Sequence, residues 1–474
     1  MLQVSDAYKE LVKSNIRPKC EPTIKISGID NNGNEIELVW NAKNIKDLKY
    51  KRGIDPVGRE LPYMELTWTE IYTGKFSVEN YPEKYNNVAK YMAVELSFIQ
   101  DLGFYNTWKT IFGGRIKWSD LFSRTWKRVR NQVPQEKITM PKMFLEARPT
   151  IKGKTITWTA RDLFYFLNEK QEARFEGAMP FENPLRYMLL NSRGAFLNSK
   201  DVFDSLTVTD RLLINIPFLP LDAENIIFDG STKDLLINYA KLRNAYWDFK
   251  YTYATLQSIY SLNDDFAEFL FDKKTLFSYP EISKISDVSQ YSFKRYAIYR
   301  DSDATFDKEY DEPTILELTS GLETQWISLY RYFFDEYGEI EQGSGGFGAL
   351  KYAIASVGNP LKVIPIKRVA YDEYIHNNNV GEAFVEDNPV NVYGSTDERA
   401  KDRATALSFY FNSNKTNMEF ECLPNLALTT GDKIAVLTGI FVDENEQLFA
   451  QGNIISIEIN YNGALKQKII IHEG

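Results

Sequence analysis

Histidine and cysteine are nearly missing from this sequence, with two of each in 474 residues. Cys20 and Cys422 sit at opposite ends of the chain, so there is no disulfide framework and no Cys-x-x-Cys metal knuckle, and a reducing site of synthesis is expected. Any Ser-His-Asp or Cys-His catalysis would have to use His376, in the polar run "YIHNNN", or His472, two positions from the end, and both read as surface residues. A zinc site would need mostly carboxylates, which is unusual. Walker-type and H-E-x-x-H spacings are absent. No catalytic, cofactor-binding or metal-binding residue is therefore assigned, no cofactor is implied, and the expectation is a protein that is not an enzyme. No run of about 18 apolar residues spans a bilayer, and the opening "MLQVSDAYKELVKSNIRPK" lacks the apolar segment of a secretion signal. A soluble chain without a membrane segment is expected. Positive charge is also short: 56 Lys and Arg against 65 Asp and Glu give a net charge of -9, which argues against a nucleic-acid-binding surface over the whole chain. The best local basic patch, "TWKRVR" with Lys127, Arg128 and Arg130, reads as a solvated face.

Aromatic residues are in surplus, with 8 Trp, 29 Tyr and 30 Phe making 14% of the chain, which suits strands and large interfaces. Apolar content of 43% and charged content of 26% are those of a globular protein, and the length suggests about three domains. The first part reads as strands. "TIKISGIDNNGNEIELVW" places Asn32-Gly33 between two alternating segments, a hairpin signal. "PYMELTWTE" sets Met64, Leu66 and Trp68 on one face, and "YMAVELSFIQ" does the same with Met92, Val94, Leu96 and Phe98. Half-buried antiparallel strands of this kind suit a barrel or a sandwich. In "ITWTARDLFYFLNEK", Ile156, Trp158 and Ala160 alternate, and Thr159 with Asp162 has capping-box spacing, so a strand is predicted to run into a helix.

The middle is mixed. "STKDLLINYAKLRNAYWDF" opens with Ser231 and Asp234 at capping-box spacing and places Leu235, Tyr239, Leu242 and Tyr246 on one helical face. "SGLETQWISLYRYFFDEYG" repeats the pattern with Ser320, Glu323 and an aromatic stripe, predicting a helix that stops at Gly338. "EQGSGGFGALKY" contains Gly343, Gly345 and Gly348 at dinucleotide-loop spacing, but no buried strand precedes it and Glu339 and Glu341 would face the phosphates. Residues 338–348 are expected instead to form a loop ordered by a partner. The adjacent carboxylates Asp264-Asp265 and Asp335-Glu336 read as surface charge. The last 60 or so residues return to strands: "LALTTGDKIAV" reads as strand, tight turn through Gly431-Asp432, and strand, and Asn462-Gly463 signals a further hairpin.

"NIKDLKYKRGIDPVGRELPYMELTWTE", "ITWTARDLFYFL", "NLALTTGDKIAV" and "GNIISIEINYNGALKQKII", in that order, resemble the baseplate or tail-tip hub proteins of tailed bacteriophages and related contractile particles, and "VSDAYKELVKSNIRPK" looks like the opening of minor tail proteins. The resemblance covers about the first 170 and last 80 residues. It implies an α+β, β-rich fold: two small antiparallel β-barrel-like domains with a mixed α/β middle region. The expected division is an N-terminal helical arm at 1–20, barrel-like domains at 21–180 and 398–474, a mixed domain at 181–337 and a loop region at 338–397. It further implies a homotrimer that joins the six-fold tail to a three-fold spike, contacting a distal tail or tail-tube ring and a central spike or tip protein. Genome DNA would pass through such a ring without tight binding. The location implied is the virion tail tip, after assembly in the host bacterial cytoplasm. A fused peptidoglycan hydrolase, which some hub proteins carry, is not expected here, nor is direct cell-wall cleavage. The alternative is a carbohydrate-binding or carbohydrate-cleaving tail protein, favoured by the Trp and Tyr content.

Overall fold

The computed structural model describes residues 2–13, 19–29, 34–71, 88, 90–102, 135–167, 172–179, 214–215, 224–250, 253–262, 267–285, 288–300, 326–328, 331–332, 361–369, 382–386, 397–413, 416–443 and 446–473. The chain opens with helix α1 (Asp6–Val12), whose first turn is capped by the Ser5 hydroxyl accepting from Tyr8 N. Tyr8, Leu11 and Val12 are buried, and the Tyr8 phenol oxygen accepts from Leu426 N at 2.8 Å. The N-terminal helix is thereby fastened to the C-terminal part of the chain.

The strands that follow are β1 (Cys20–Ile29), β2 (Glu35–Asn41), β3 (Ile45–Gly53), β4 (Tyr63–Ile71), β5 (Ala93–Asp101), β6 (Gln135–Thr139), β7 (Met143–Leu145), β8 (Thr150–Lys152) and β9 (Thr155–Arg161), then helix α2 (Leu163–Leu167). They lie side by side in the order β3-β4-β9-β7-β5-β1-β2, with β6 on β5 and β8 on β9. β1 and β2 pair antiparallel from Thr23↔Asn41 to Ile29↔Glu35, as the hairpin signal predicts, while Asn32-Gly33 itself lies outside the described residues. Alternation decides which face is buried: Met64, Leu66 and Trp68, Met92, Val94, Leu96 and Phe98, and Ile156, Trp158 and Ala160 are all buried. Trp68 and Trp158 are cross-strand partners whose rings stack at 5.7 Å, and Trp40 from β2 meets them edge-on at 5.7 and 5.1 Å. β2 ends the ladder, so for Trp40 to reach β4 and β9 the sheet must roll over on itself. The Trp40 indole N–H donates to Glu70 across this interior at 2.8 Å.

The strand-to-helix junction at Asp162 forms, but by a different cap. Thr159 stays in the ladder opposite Thr67, and the Asp162 carboxylate is the acceptor, taking Tyr165 N at 3.0 Å and Met64 N at 2.7 Å. The middle contributes β10 (Glu172–Met179), β11 (Ile214–Asn215), β12 (Glu224–Ser231), helix α3 (Thr232–Leu242), β13 (Ala245–Lys250), β14 (Tyr253–Ser258), β15 (Phe269–Phe271), β16 (Glu281–Lys284), β17 (Val288–Arg300), β18 (Trp326–Ser328), β19 (Arg331–Tyr332), β20 (Leu361–Val369) and β21 (Glu382–Glu386). The Ser231–Asp234 capping box is present in both directions. Leu235 and Tyr239 are buried as expected, but α3 ends at Leu242, Asn244 turns left-handed at φ 49, and Tyr246 belongs to β13. The helix expected after Ser320 is overturned where it is described: Trp326–Ser328 is a strand paired with β20. Trp, Ile and the aromatics that follow fit a pleated surface, and a neighbouring ladder outweighs short-range helical spacing. Ser320 and Glu323 lie outside the described residues, as do Gly343 to Gly348, His376, Lys127, Arg128 and Arg130, Asp264-Asp265 and Asp335-Glu336.

The chain closes with helix α4 (Asp397–Ser413), β22 (Thr416–Cys422), β23 (Lys433–Asp443), β24 (Glu446–Tyr461) and β25 (Leu465–Glu473). β23, β24 and β25 form the expected meander, and Gly463 at φ 77 makes the last hairpin turn after Asn462. Leu426–Thr430 is not a strand: it is a buried turn segment leading into Gly431 at φ 82, so "LALTTGDKIAV" contributes one strand only. The segment from β15 to β16 pairs with β23 at its start and β22 at its end, and Phe271 of β15 meets Phe420 of β22 at 5.3 Å. This half of the sheet is rolled as well.

The β-rich α+β class holds, with two rolled halves that are antiparallel except where β15 joins β23 in parallel; among the described residues the ladders themselves close no barrel. The halves are one sheet. β24 pairs with β23 over its first part, passes a bulge at Ile454–Ser456, and then pairs with β3 from Ser456↔Gly53 to Tyr461↔Leu48. Replacing Trp158 by Ala should cost about 3–5 kcal/mol, because the stacked indole leaves a cavity its ring neighbours cannot fill. Urea denaturation measures this, with Val39→Ala at the exposed edge within about 0.5 kcal/mol of wild type.

Candidate functional site

The strongest convergence of polar chemistry lies behind the seam between the two halves. Inward alternation along β3 runs Leu48, Tyr50, Arg52, so the guanidinium of Arg52 enters the interior. It meets Asp248 of β13, with Nη2 donating to Oδ1 at 2.9 Å and to the Phe249 carbonyl. The same Asp248 oxygen accepts from the Thr430 hydroxyl at 2.6 Å and from Phe249 N at 2.8 Å. Three segments far apart in sequence thus share one buried carboxylate. Burial alone would lower the Arg52 pKa, but the facing Asp248 charge overrides it and holds the pKa above its ordinary value. Beside it the Tyr50 phenol is pushed up to about 12 by burial. At the surface of the same seam, Glu458 of β24 takes Lys49 at 2.8 Å and Lys51 at 3.7 Å, both from β3.

A cleft of about 120 Å³ lies near the start of β4, lined by Tyr63, Arg161, Asp162, Phe164, Tyr165 and Lys233 among others. Arg161 is held by Glu65 at 2.5 Å and Glu146 at 3.0 Å, and Tyr165 donates to Glu146 at 2.7 Å. Burial pushes Asp162 up to about 6, although its carboxylate accepts from Met64 N and Tyr165 N. The exposed rings of Tyr63 and Tyr165 and these satisfied charges form a site suited to a neutral polar ligand and lack a nucleophile–base pair.

Of the residues considered from sequence, His472 is not at the surface. It is half-buried on β25, its Nδ1 paired with the Tyr410 hydroxyl of α4, and burial pushes its pKa down to about 4. The packing of α4 over β25 accounts for this, which position near the end of the chain did not reveal. Cys20 and Cys422 are free thiols, the former pushed up to about 12 by burial. Among the described residues no group of three His, Cys, Asp or Glu side chains is placed to hold a metal, and no helix is long and apolar enough to cross a membrane. Arg52 and Asp248 were not anticipated. Period-two counting from Leu48 and Tyr50 marks Arg52 as inward, whereas β13 is buried at every position from Ala245 to Phe249 and gives no such signal.

No family model and no curated protein matches the sequence. Among solved structures the chain is similar to phage tail proteins. One is a tail protein from Neisseria meningitidis, at 7% identity over 95% of this chain and 96% of that chain, with a TM-score of 0.47. Another is the 43 kDa tail protein of prophage MuSo2 from Shewanella oneidensis, at 10% identity over 94% and 97%, with a TM-score of 0.41. A type VI secretion component from E. coli, described as similar to the T4 tail proteins gp27 and gp5, matches at 7% identity over 95% and 76%, with a TM-score of 0.35.

Removing one member of the buried pair, as Arg52→Met or Asp248→Leu, should cost about 3–5 kcal/mol by stranding a charge, while the double variant recovers at least about 2 kcal/mol relative to the sum. Denaturation of the four proteins measures the coupling. For His472, a folded pKa near 4 against an ordinary 6.5 means that its contribution to stability is complete above 6.5 and is lost as pH falls toward 4. Asp162, raised from 3.8 to about 6, acts in the opposite sense over an overlapping window. The stability advantage of wild type over His472→Gln should therefore shrink by on the order of 2 kcal/mol between pH 7 and 4.5, measured by urea titration at each pH.

Proposed function

We propose that this chain is a non-catalytic structural protein of a bacteriophage tail, placed at the tail tip or baseplate as a hub. The observation that carries the reading is the seam. β24 is shared between two rolled β halves, and Arg52, Asp248 and Thr430 lock the halves together from behind, so that one chain presents two β units as a single rigid body. This is what the hub resemblance of the sequence asks of a subunit that must set paired units around an axis. In this reading the chain forms a homotrimeric ring in the virion, between a distal tail or tail-tube ring and a central spike or tip protein, and assembles in the host bacterial cytoplasm. The lumen avoids a dense Lys and Arg lining so that genome DNA passes without being held, consistent with the net charge of -9.

The cleft at Tyr63 and Tyr165 favours a second reading, a carbohydrate-binding tail protein. Electron cryo-microscopy of particles from the producing strain separates the two. On-axis density for this chain in three copies, or a multiple of three, is expected of the hub. Off-axis copies, or a number not divisible by three, would overturn it in favour of receptor binding.

A further inference from the structure

Beside the start of β4, the cleft of about 120 Å³ brings held aromatic rings together with hydrogen-bonding groups that the described residues leave unused. Tyr63 and Tyr165 are 48% and 38% exposed, yet neither ring is loose. Tyr63 pairs across the ladder with Gly53, and its ring rests on that glycine so closely that a Cβ there would come within 2.5 Å of ring atoms. The Tyr165 ring lies under the Arg161 guanidinium, 5.1 Å from its centroid, and the Tyr165 hydroxyl is tied to Glu146. Buried Leu61, Met64 and Phe164 add apolar lining.

The polar lining has capacity to spare. Arg161 donates through Nε to Glu146 and through Nη1 to Glu65, and its Nη2 group has no partner among the described residues. Lys233, the second residue of α3, has neither an ion pair nor a hydrogen bond among the described residues.

These features select among occupants. An anion gains little, because Asp162, Glu65 and Glu146 stand with Arg161 and Lys233 and the site offers no net positive charge. A cation meets the two positive groups that hold the unused donors. A wholly apolar group would take water from Arg161 and Lys233 and return no hydrogen bond. A sugar ring satisfies both sides of the cleft: its C–H face suits the negative face of an open aromatic ring, and its hydroxyls accept from Nη2 and Nζ. A cavity of ~150 Å³ takes a benzene ring, so a cleft of about 120 Å³ that is partly open to solvent has room for one six-membered ring.

We infer that this cleft binds one uncharged pyranose ring of a glycan, stacked on Tyr63 and hydrogen-bonded by Arg161 and Lys233, and that it discriminates against acidic sugars. The inference rests on the carbohydrate-binding reading and gives it a platform, two donors and a charge preference.

The test is saturation-transfer NMR on the full chain with the methyl glycosides of glucose, galactose, mannose and N-acetylglucosamine, and with glucuronate and inorganic phosphate as competing charged probes. One or more of the neutral glycosides should bind with a Kd of about 1–10 mM, with saturation strongest on the protons of one ring face, and neither anion should displace it. Tyr63→Ala and Lys233→Met, each checked for an unchanged circular dichroism spectrum, should each weaken binding of that glycoside roughly tenfold or more. Tyr260→Ala, which removes an exposed tyrosine outside the cleft, should leave it unchanged. If the Tyr63 variant does not fold, Lys233→Met decides alone. No transfer to any neutral glycoside at about 50 mM, displacement by either anion, or binding that Lys233→Met leaves intact would overturn the assignment. The position of the chain in the particle tests the receptor-binding reading separately. An on-axis chain that binds a glycoside through Tyr63 removes that reading and keeps the site, whereas an off-axis chain that binds none removes the site alone.

Discussion

The buried ion pair between Arg52 and Asp248 is the constraint on which the rest of the architecture depends. Placing two charges in an apolar interior is costly, and the cost is recovered only when geometry and supporting hydrogen bonds are complete. The bonds formed here require β3 from the N-terminal half, β13 from the middle and the Thr430 turn from the C-terminal half to arrive together, and recovery is partial, since Arg52 Nε and Asp248 Oδ2 are buried without a hydrogen-bond partner. An ion pair of this kind adds little net stability over an apolar replacement, but it penalises any arrangement in which one segment is misplaced. The function assigned to it is therefore the choice of arrangement, with the aromatic and aliphatic interior supplying the driving force.

The shared strand β24 turns that choice into stiffness. Its 16 residues serve both halves, with the bulge at Ile454–Ser456 marking the point where it leaves one roll and enters the other. A hinge would need a flexible connection at this place, whereas backbone hydrogen bonds to β25 on one side and β3 on the other continue through the seam. The N-terminal helix adds a second tie, through Tyr8 to Leu426 and Leu2 to Ala427. Both ends of the chain thus converge on one region, and the native contacts are long-range, which favours slow folding.

Much of the β fold was legible because burial on one face writes a period of two into the sequence, as at Met64, Leu66 and Trp68, and because Asn462-Gly463 and the Ser231–Asp234 box are local signals with local causes. Legibility failed where the cause is not local. Trp326–Ser328 has a helical aromatic spacing but takes the conformation its ladder partner imposes. Thr159 stands at cap spacing, yet its place in the ladder opposite Thr67 leaves the cap to Asp162. The pairing of Arg52 with Asp248 depends on a chain crossing that no window of sequence contains. For His472, the depressed pKa comes from the burial produced when α4 packs on β25, and the residue's own neighbours in sequence give no warning of it.

The aromatic surplus must be reread in this light. Large interfaces and rolled sheets both call for aromatic residues, and composition alone does not separate them. In the structure the largest fully buried side chains include Trp68, Trp158, Trp247, Tyr8, Tyr50, Tyr239, Phe98 and Phe144, which fill the interior. A sheet that rolls over a narrow core brings its inner faces close together, and stacked or edge-on rings fill that space with few side chains, as Trp40, Trp68 and Trp158 do. The aromatic content of the described residues is thus mainly a consequence of the fold. The large apolar side chains left exposed among the described residues are Val, Leu, Ile, Phe and Tyr, at Val39, Tyr63, Tyr165 and Tyr260 as well as on the β23–β24 hairpin and the segment beside it, and no described Trp is among them, so it is the interior that uses the largest rings.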